Sequence, residues 1–214
     1  MKALFVTATN TSVGKTYTTV KLIESFTKEG ILVGACKPIE TGVENEPLDA
    51  AALLTTVQRY NPNFQDFKPT DITAYTFKLA AAPFCADLKQ TIKIEKIKHK
   101  ISELQKYCDL LIIEGAGGLM VPITQHYNMI DLAKELNLHT LLVTPSKLGC
   151  INDTLLSIDA LKKYNLRFDW CVNLYEDQEV FPQVTQPYYD AKFEKWWTFE
   201  EGLESFVEKI KEEY

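Results

Sequence analysis

The sequence predicts an α/β fold in which one mostly parallel sheet is covered by helices on both faces. Short continuous apolar runs alternate with segments that carry apolar residues at helical spacing along the whole chain. Runs that are apolar throughout are typical of strands buried on both sides, because right-handed crossovers place helices on either face of a parallel sheet. The 214 residues are 46% hydrophobic and 24% charged, which excludes a disordered chain and favours a single domain over residues 1–214.

The first half of the chain contains two predicted strands and three predicted helices. Residues 3–6 form a continuous apolar run, and residues 18–26 have a helical apolar pattern that stops at Gly30, a typical helix end. Residues 31–36 repeat the strand pattern. The remaining helices are predicted at 48–60 and 94–107, after a polar, proline-bounded loop at 62–69.

The second half continues the alternation. Strands are predicted at residues 110–113, 140–143 and 170–173, and helices at 129–136, 152–164 and from Thr198 to Glu213. Asn128 is predicted to cap the first of these helices, and Thr198-x-x-Glu201 is a capping box for the last. Residues 175–197 are aromatic and are predicted to be irregular.

The charge and the cysteines exclude several functions. The net charge is −6, with Lys and Arg scattered along the chain, which argues against nucleic-acid and anionic-membrane partners. The five cysteines form no Cys-x-x-Cys pair, so zinc ribbons, iron–sulfur sites and a disulfide framework are not expected. The composition is typical of a cytoplasmic protein.

A phosphate-binding loop is predicted at residues 7–16, between the first strand and the first helix. Its backbone N–H groups would receive phosphate oxygens, Lys15 would supply a cation to the β- and γ-phosphates, and Thr16 would offer a hydroxyl to Mg²⁺. Thr9 stands where the usual G-x-x-x-x-G-K-[ST] motif has its first glycine. An incidental lysine at a helix start is the simpler interpretation of Gly-Lys-Thr alone, but its position after a buried strand favours a P-loop NTPase fold.

Lys37 follows the second predicted strand. Pro38 cannot extend the sheet and keeps Lys37 extended, so the ammonium group projects from the strand end. A solvated lysine is the simpler interpretation of one such residue. A second cation beside a phosphate loop instead suggests a phosphoryl group in transfer or an anionic co-substrate.

Glu114 ends the strand at 110–113 and is followed by a predicted glycine-rich turn, residues 115–118. A carboxylate at this place can reach Mg²⁺ held by Thr16, and the glycines permit the backbone to approach a ligand. A strand-terminal glutamate before a flexible loop is the alternative. Three strand ends with complementary chemistry favour one shared site.

The chain resembles the dethiobiotin synthetase family, the ATP-dependent enzymes of biotin biosynthesis. The matching stretches lie in the family's order and spacing between residues 6 and 152. They are Val6-Thr7 with Val13-Gly14-Lys15-Thr16, Lys37-Pro38 with Thr41-Gly42, Glu114-Gly115-Ala116-Gly117-Gly118 with Pro122, and Lys147-Leu148-Gly149-Cys150-Ile151-Asn152. The last third of the chain resembles the family only faintly.

This resemblance implies an ATP- and Mg²⁺-dependent ring closure. In that reaction 7,8-diaminononanoate and CO₂, supplied as dissolved CO₂ or bicarbonate, give a carbamate that ATP phosphorylates. The neighbouring amine then displaces phosphate to form the cyclic urea of dethiobiotin.

The resemblance also implies roles for individual residues. Lys15 and Lys37 would be catalytic, with Lys37 stabilising the carbamate and the phosphoryl group. Thr16, Asp49 and Glu114 would hold Mg²⁺, although Asp49 opens a predicted helix and an N-cap role is the alternative. The nucleotide-binding residues would be Ser12, Val13, Gly14, Lys15, Thr16, Glu114, Gly115, Ala116, Gly117 and Asn173.

Two substrate contacts are implied as well. Thr41 would contact the diamine. Gly149, Cys150, Ile151 and Asn152 would bind the substrate carboxylate of a partner subunit at a helix N-terminus, which implies a homodimer.

The chain departs from the family's pattern in its phosphate loop and after its last strand. The family usually has Gly, Asp and Glu where this chain has Ala8, Asn10 and Ser12, so the loop carries fewer carboxylates. In the family an Asn and a basic residue follow this strand, and the Asn helps to read the adenine edge. Here Asn173 is followed by Leu174, so the base site is reduced to one amide, which predicts weak ATP affinity and poor discrimination between ATP and GTP.

A switch ATPase of the partitioning or iron-protein type is the alternative function, because it shares this sheet and a deviant phosphate loop. Such proteins carry an extra lysine early in the loop, and residues 8–13 contain none. The final helix is rich in glutamate and unsuited to an anionic membrane. An amidase-type ligase would need a further nucleophile-bearing domain.

Overall fold

The computed structural model describes residues 2–213 and centres on a five-stranded parallel sheet. In spatial order its strands are β2 (Val33–Cys36), β5 (Leu110–Gly118), β1 (Ala3–Ala8), β8 (His139–Pro145) and β9 (Phe168–Asn173). The helices are α1 (Lys15–Lys28), α2 (Leu48–Tyr60), α3 (Pro83–Ala86), α4 (Ile94–Leu104), α5 (Met129–Leu136), α6 (Cys150–Lys163), α7 (Phe181–Val184), α8 (Gln186–Lys192) and α9 (Phe199–Glu213).

Both faces of the sheet are buried. Leu141 and Val143 of β8 belong to the same apolar core as Ile210 of α9, whereas Leu142 between them packs in a second core with Ile158 of α6. Successive side chains of a strand point to opposite faces, so α9 and α6 cover opposite sides of the sheet. The predicted fold class is confirmed.

Four short strands were not predicted. β3 (Ile39–Thr41) pairs in parallel with β4 (Tyr75–Phe77), and β6 (Pro122–Thr124) forms an antiparallel pair with β7 (Tyr127–Asn128). Strands of two or three residues do not carry enough alternation for a sequence pattern to reveal them.

Several predicted boundaries were wrong. The glycine-rich turn predicted at 115–118 is strand, since β5 continues to Gly118 and pairs there with Ala8. Residues 175–197 contain α7 and α8 and are therefore not irregular throughout. Helix α1 begins at Lys15 rather than at residue 18, and α6 begins at Cys150 rather than at residue 152. The first turns of both helices have few apolar residues at helical spacing. Because helices are predicted from this spacing, their starts were placed too late.

The strand order brings three predicted site regions to one edge. β5 lies between β1 and β2, with Glu114 opposite Val6 of β1 and Ile113 opposite Cys36 of β2. Glu114 therefore lies between the phosphate loop that follows β1 and Lys37, which follows β2.

Among residues 2–213, no helix combines the length and the apolar character that a membrane span requires.

Candidate active site

The loop between β1 and α1 has the backbone of an anion-binding turn. Gly14 directly precedes α1 with φ of 89°, a left-handed conformation that favours glycine, and Ser12 also has a positive φ of 56°. The Nζ atom of Lys15 donates to the carbonyl oxygen of Asn10 at 3.2 Å, so the side chain folds back over the loop. The loop and the N-terminus of α1 thus present N–H groups and a cation to the same space.

Lys37 is buried, so the interpretation as a solvated lysine is wrong. Its Nζ atom lies 2.6 Å from Oε1 of Glu114 and 2.8 Å from Oδ2 of Asp49. The side chains of Lys37 and Glu114 are only 3% and 0% exposed. The ammonium group is therefore held between two carboxylates at the floor of the site.

Thr16 joins the same cluster from the first turn of α1. Its hydroxyl lies 3.0 Å from Oδ1 of Asp49 and 3.0 Å from Oε1 of Glu114. The residues predicted to hold Mg²⁺ thus meet, although they come from α1, α2 and β5.

Glu40 positions Asp49, and sequence analysis missed this residue. Its two carboxylate oxygens accept from the backbone amides of Asp49 and Ala50, at 3.0 and 2.9 Å. Glu40 therefore satisfies the first free amides of α2 in the way an N-cap does. The N-cap alternative for Asp49 is wrong, because α2 begins one residue earlier, at Leu48, and the carboxylate of Asp49 binds Lys37 and Thr16.

The donor set fits a magnesium ion. Thr16, Asp49 and Glu114 offer oxygen atoms only, and Mg²⁺ is usually held by one or two carboxylates together with substrate phosphates. Oε2 of Glu114 is buried and has no hydrogen-bond partner among residues 2–213. Within the same residues there is no cluster of three or more His, Cys, Asp or Glu side chains that could hold a metal ion. A metal at this place would need the phosphates as further ligands.

Lys37 forms ion pairs with Asp49 and Glu114, and these opposite charges stabilise each other. Burial disfavours the charged form of Lys37, but the charges of Glu114 and Asp49 outweigh burial and raise its pKa. Burial would likewise raise the pKa of Asp49, but the charge and hydrogen bond of Lys37, together with the hydroxyl of Thr16, outweigh burial and lower that pKa. Lys15 differs: burial, helped by repulsion from Lys37, lowers its pKa from 10.5 to about 8.

A cavity of about 820 Å³ opens over these groups, a volume in the range of small-molecule sites. Most of the predicted site residues line it. They are Ser12, Gly14, Lys15 and Thr16 of the loop and α1, Lys37 and Thr41 from the region between β2 and α2, Asp49 of α2, Ala116 and Gly117 of β5, and Asn173 of β9.

The other predicted residues do not line the cavity. Val13 is buried beneath the loop, and its carbonyl oxygen accepts from the amide of Asn173 at 3.0 Å. Glu114 and Gly115 lie beside Lys37, which also approaches the carbonyl oxygen of Gly115 at 3.4 Å. The stretch Gly149, Cys150, Ile151 and Asn152 opens α6 and does not line the cavity of its own chain.

Comparisons with known proteins agree with this site. A family model described as an AAA domain matches residues 2–169. A curated protein of Sulfurovum sp. (strain NBC37-1), named ATP-dependent dethiobiotin synthetase BioD, is 56% identical over 210 residues and covers 98% of this chain and 100% of its own length. The protein of the same name from Wolinella succinogenes is 37% identical over 213 residues and covers 98% of both chains.

Solved structures show the same fold at low identity. The MinC:MinD cell division complex of Aquifex aeolicus contains a chain with a TM-score of 0.56 and 15% identity, covering 98% of this chain and 86% of that one. A plasmid partition protein from Borrelia burgdorferi has a TM-score of 0.55 and 10% identity, covering 98% and 94%. These likenesses concern the P-loop NTPase fold alone.

The two relatives that align over nearly the whole chain are both named ATP-dependent dethiobiotin synthetase. An ATP-dependent enzyme needs a site for the phosphates of ATP, and the phosphate loop with its neighbouring cations is suited to bind them. The chain therefore belongs to the ATP-dependent dethiobiotin synthetases, the cyclo-ligases that form dethiobiotin in biotin biosynthesis.

Proposed function

We propose that this chain carboxylates 7,8-diaminononanoate with CO₂ and closes the ring at the expense of ATP, with Mg²⁺ bound, giving dethiobiotin, ADP and phosphate. The observation that carries the proposal is the buried ammonium of Lys37, held by Asp49 and Glu114 in the cavity that Lys15 and Thr16 also line. Two cations beside a phosphate loop suit a reaction in which a phosphoryl group passes between two anionic oxygens.

The proposed reaction has three steps. One amine of the diamine attacks CO₂ and loses a proton, which forms a carbamate. A carbamate oxygen attacks the γ-phosphorus of ATP, and the bond to the bridging oxygen breaks to release ADP and leave a carbamic–phosphoric anhydride. The second amine attacks the carbonyl carbon, the C–O bond to phosphate breaks, and a proton is lost as the cyclic urea forms.

The position of each residue in the cavity suggests its role in these three steps. The loop amides and Lys15 would bind the triphosphate. Lys37 would neutralise charge on the carbamate and on the phosphoryl group during transfer, because its raised pKa keeps it cationic throughout the neutral range. Preorganised cations of this kind lower a barrier without reorganising at the moment of reaction.

Thr16, Asp49 and Glu114 would hold Mg²⁺ together with the phosphates. When bound, the ion supplies further charge neutralisation to the β- and γ-phosphates. Glu40 keeps Asp49 in place for this role through the amides at the start of α2.

We further propose that the enzyme is a homodimer in which Thr41 and the partner's helix start, the stretch 149–152, bind the diamine. In support, Leu148 and Leu156 beside this stretch are 78% and 63% exposed, so two large apolar side chains next to the helix start are accessible to a second copy of the chain. Sedimentation equilibrium tests the assembly: about 49 kDa, twice the 24.4 kDa chain, is expected. A mass of one chain in the active enzyme would contradict it.

Product formation tests the chemistry and separates it from a switch ATPase. The chain is incubated with 7,8-diaminononanoate, ¹³C-bicarbonate, Mg²⁺ and ATP, and each component is omitted in turn. Dethiobiotin that carries one ¹³C atom is expected only in the complete mixture, with one ADP for each product molecule. ATP hydrolysis that proceeds equally without the diamine, and gives no product, would favour the switch ATPase instead.

A further inference from the structure

Two side chains from the end of β9 contact the phosphate loop. The Nδ2 atom of Asn173 donates to the carbonyl oxygen of Val13 at 3.0 Å, and the hydroxyl of Tyr175 donates to the carbonyl oxygen of Ser12. The two acceptors are consecutive in the loop, and the two donors are separated by one residue. The contact joins parts of the chain that are 160 residues apart.

The contact is close as well as polar. Asn173 is 3% exposed, and a Cβ atom added to Gly14 would lie 2.0 Å from its Nδ2 atom. The loop backbone therefore lies directly against the Asn173 amide, and a side chain at position 14 would displace that amide. The positive φ of Gly14 makes the same demand independently.

These two bonds also orient amide groups, because a peptide unit is planar and trans. The carbonyl of Ser12 and the N–H of Val13 belong to one such unit and point in opposite directions, and the same holds for the carbonyl of Val13 and the N–H of Gly14. Holding each carbonyl toward the end of β9 directs the following N–H away from it.

Those two N–H groups are available to a ligand. Across residues 2–213, neither the amide of Val13 nor that of Gly14 donates to a backbone or side-chain acceptor. Backbone N–H groups next to a helix N-terminus are the usual ligands of phosphate oxygens.

We infer that Asn173 and Tyr175 are positioning residues, which hold the phosphate loop so that the amides of Val13 and Gly14 face the triphosphate. This role rests on the proposed phosphate loop and differs from a contact of Asn173 with the base. One N–H of Asn173 Nδ2 is bonded to the loop, which leaves the second N–H and Oδ1 for other contacts. The positioning role concerns the phosphates, so it acts on every nucleoside triphosphate and also on tripolyphosphate, which has no base.

The test compares ligands that share phosphates and differ in the base. Affinities of the full chain for ATP, GTP and inorganic tripolyphosphate, each with Mg²⁺, are measured by titration calorimetry for the wild type, Asn173→Ala and Tyr175→Phe. Tyr188→Phe is the matched control, since its side chain is 40% exposed on α8 and has no hydrogen bond to the loop. Thermal unfolding of each variant is recorded in parallel.

The inference predicts that Tyr175→Phe weakens all three ligands by the same factor, about fivefold to tenfold, as expected for one lost hydrogen bond. Asn173→Ala should weaken tripolyphosphate, which has no base, by a similar factor. The control should bind like the wild type. Weaker ATP or GTP binding with unchanged tripolyphosphate binding would assign these residues to the base or ribose and overturn the inference, as would unchanged affinities throughout.

Unfolding of Asn173→Ala and a failure of the wild type to bind tripolyphosphate are two further outcomes that the test can give. If Asn173→Ala unfolds, Tyr175→Phe decides alone, because Tyr175 is 43% exposed and loses only a hydroxyl. If the wild type binds ATP but not tripolyphosphate, the phosphate-loop assignment itself fails, and the inference fails with it.

Discussion

The ammonium of Lys37 lies 2.6 Å from the carboxylate of Glu114, and both side chains are almost wholly buried. The two residues are 77 positions apart and meet because β5 pairs with β2, so that the strand ends are adjacent. A buried pair of this kind links the fold to the site: removing one partner leaves the other charge buried without compensation.

We predict that Lys37→Met lowers the free energy of unfolding by about 3–5 kcal/mol, because Glu114 then loses its buried partner. The double variant Lys37→Met, Glu114→Gln should recover most of that loss, since neither side chain is charged. Urea unfolding followed by circular dichroism measures both. Equal stabilities of the single and double variants would show that the uncompensated charge of Glu114 is not the cause of the loss.

Lys37→Ala is predicted to lower turnover about 100-fold or more, roughly 3 kcal/mol of transition-state stabilisation. Steady-state dethiobiotin formation at saturating ATP measures the effect, at a temperature where circular dichroism shows the variant to be folded. Lys21→Ala is the control, because Lys21 is 41% exposed and pairs with Glu24 on the surface of α1. Turnover of Lys37→Ala close to that of the control would remove Lys37 from the mechanism.

Nucleotide affinity should depend on pH through Lys15, whose pKa is lowered to about 8. Phosphate oxygens favour the ammonium form, so nucleotide binding raises this pKa again. Above pH 8 the free enzyme must first take up a proton, and the affinity for ATP should fall as the pH rises toward 10. Calorimetry in buffers of different ionisation enthalpy detects the uptake.

The control for this dependence is Lys15→Met, which has no proton to take up at this position. This variant should bind ATP more weakly than the wild type, and its affinity should change little between pH 7.5 and 9.5. The wild-type affinity should change over this range because the pKa of Lys15 is about 8 in the free enzyme, below the ordinary lysine value of 10.5. A wild-type affinity that is equally flat would contradict the role of Lys15.

The stability of the fold at acidic pH should depend on Asp169, which lies near the start of β9, at the opposite end of the strand from the site. Its Oδ2 atom lies 2.6 Å from Nε2 of His139 and 2.7 Å from Nζ of Lys209. Burial would raise the pKa of Asp169, but these hydrogen bonds outweigh burial and lower it. The folded-state pKa is below the unfolded one, so the stabilisation is present above about 3.8 and is lost as the pH falls through the folded value.

Asp169→Asn is therefore expected to destabilise the protein at pH 7 and to differ less from the wild type at pH 3, as measured by urea unfolding. Asp159→Asn, an exposed position on α6, should leave stability unchanged at both pH values. A deficit of Asp169→Asn that stays the same from pH 7 to pH 3 would show that the lost carboxylate charge is not the cause.

Particular elements show how far the sequence predicts this structure. The five sheet strands were predicted because each contains a continuous apolar run, and the meeting of Lys37, Glu114 and the phosphate loop followed from placing three charged positions at strand ends. The strands β3 and β6 were missed, since three residues are too few to show a period.

Glu40 was missed for a different reason. A capping carboxylate is recognised in sequence when it directly precedes its helix, whereas Glu40 lies in β3 and reaches α2 across the fold. The contact of Asn173 and Tyr175 with the loop likewise depends on tertiary structure. Such long-range polar contacts leave no local periodicity, so they are visible only in the folded chain.

The most direct test of the account follows the oxygen atoms of CO₂. The enzyme is given 7,8-diaminononanoate, Mg²⁺, unlabelled ATP and bicarbonate enriched in ¹⁸O, in a reaction short enough to limit exchange with water. If the carbamate oxygen attacks ATP and later leaves with phosphate, the inorganic phosphate should carry one ¹⁸O atom from bicarbonate and the dethiobiotin carbonyl another. Phosphate without bicarbonate oxygen, formed alongside labelled dethiobiotin, would show that ATP is hydrolysed by water and would contradict phosphoryl transfer to the carbamate.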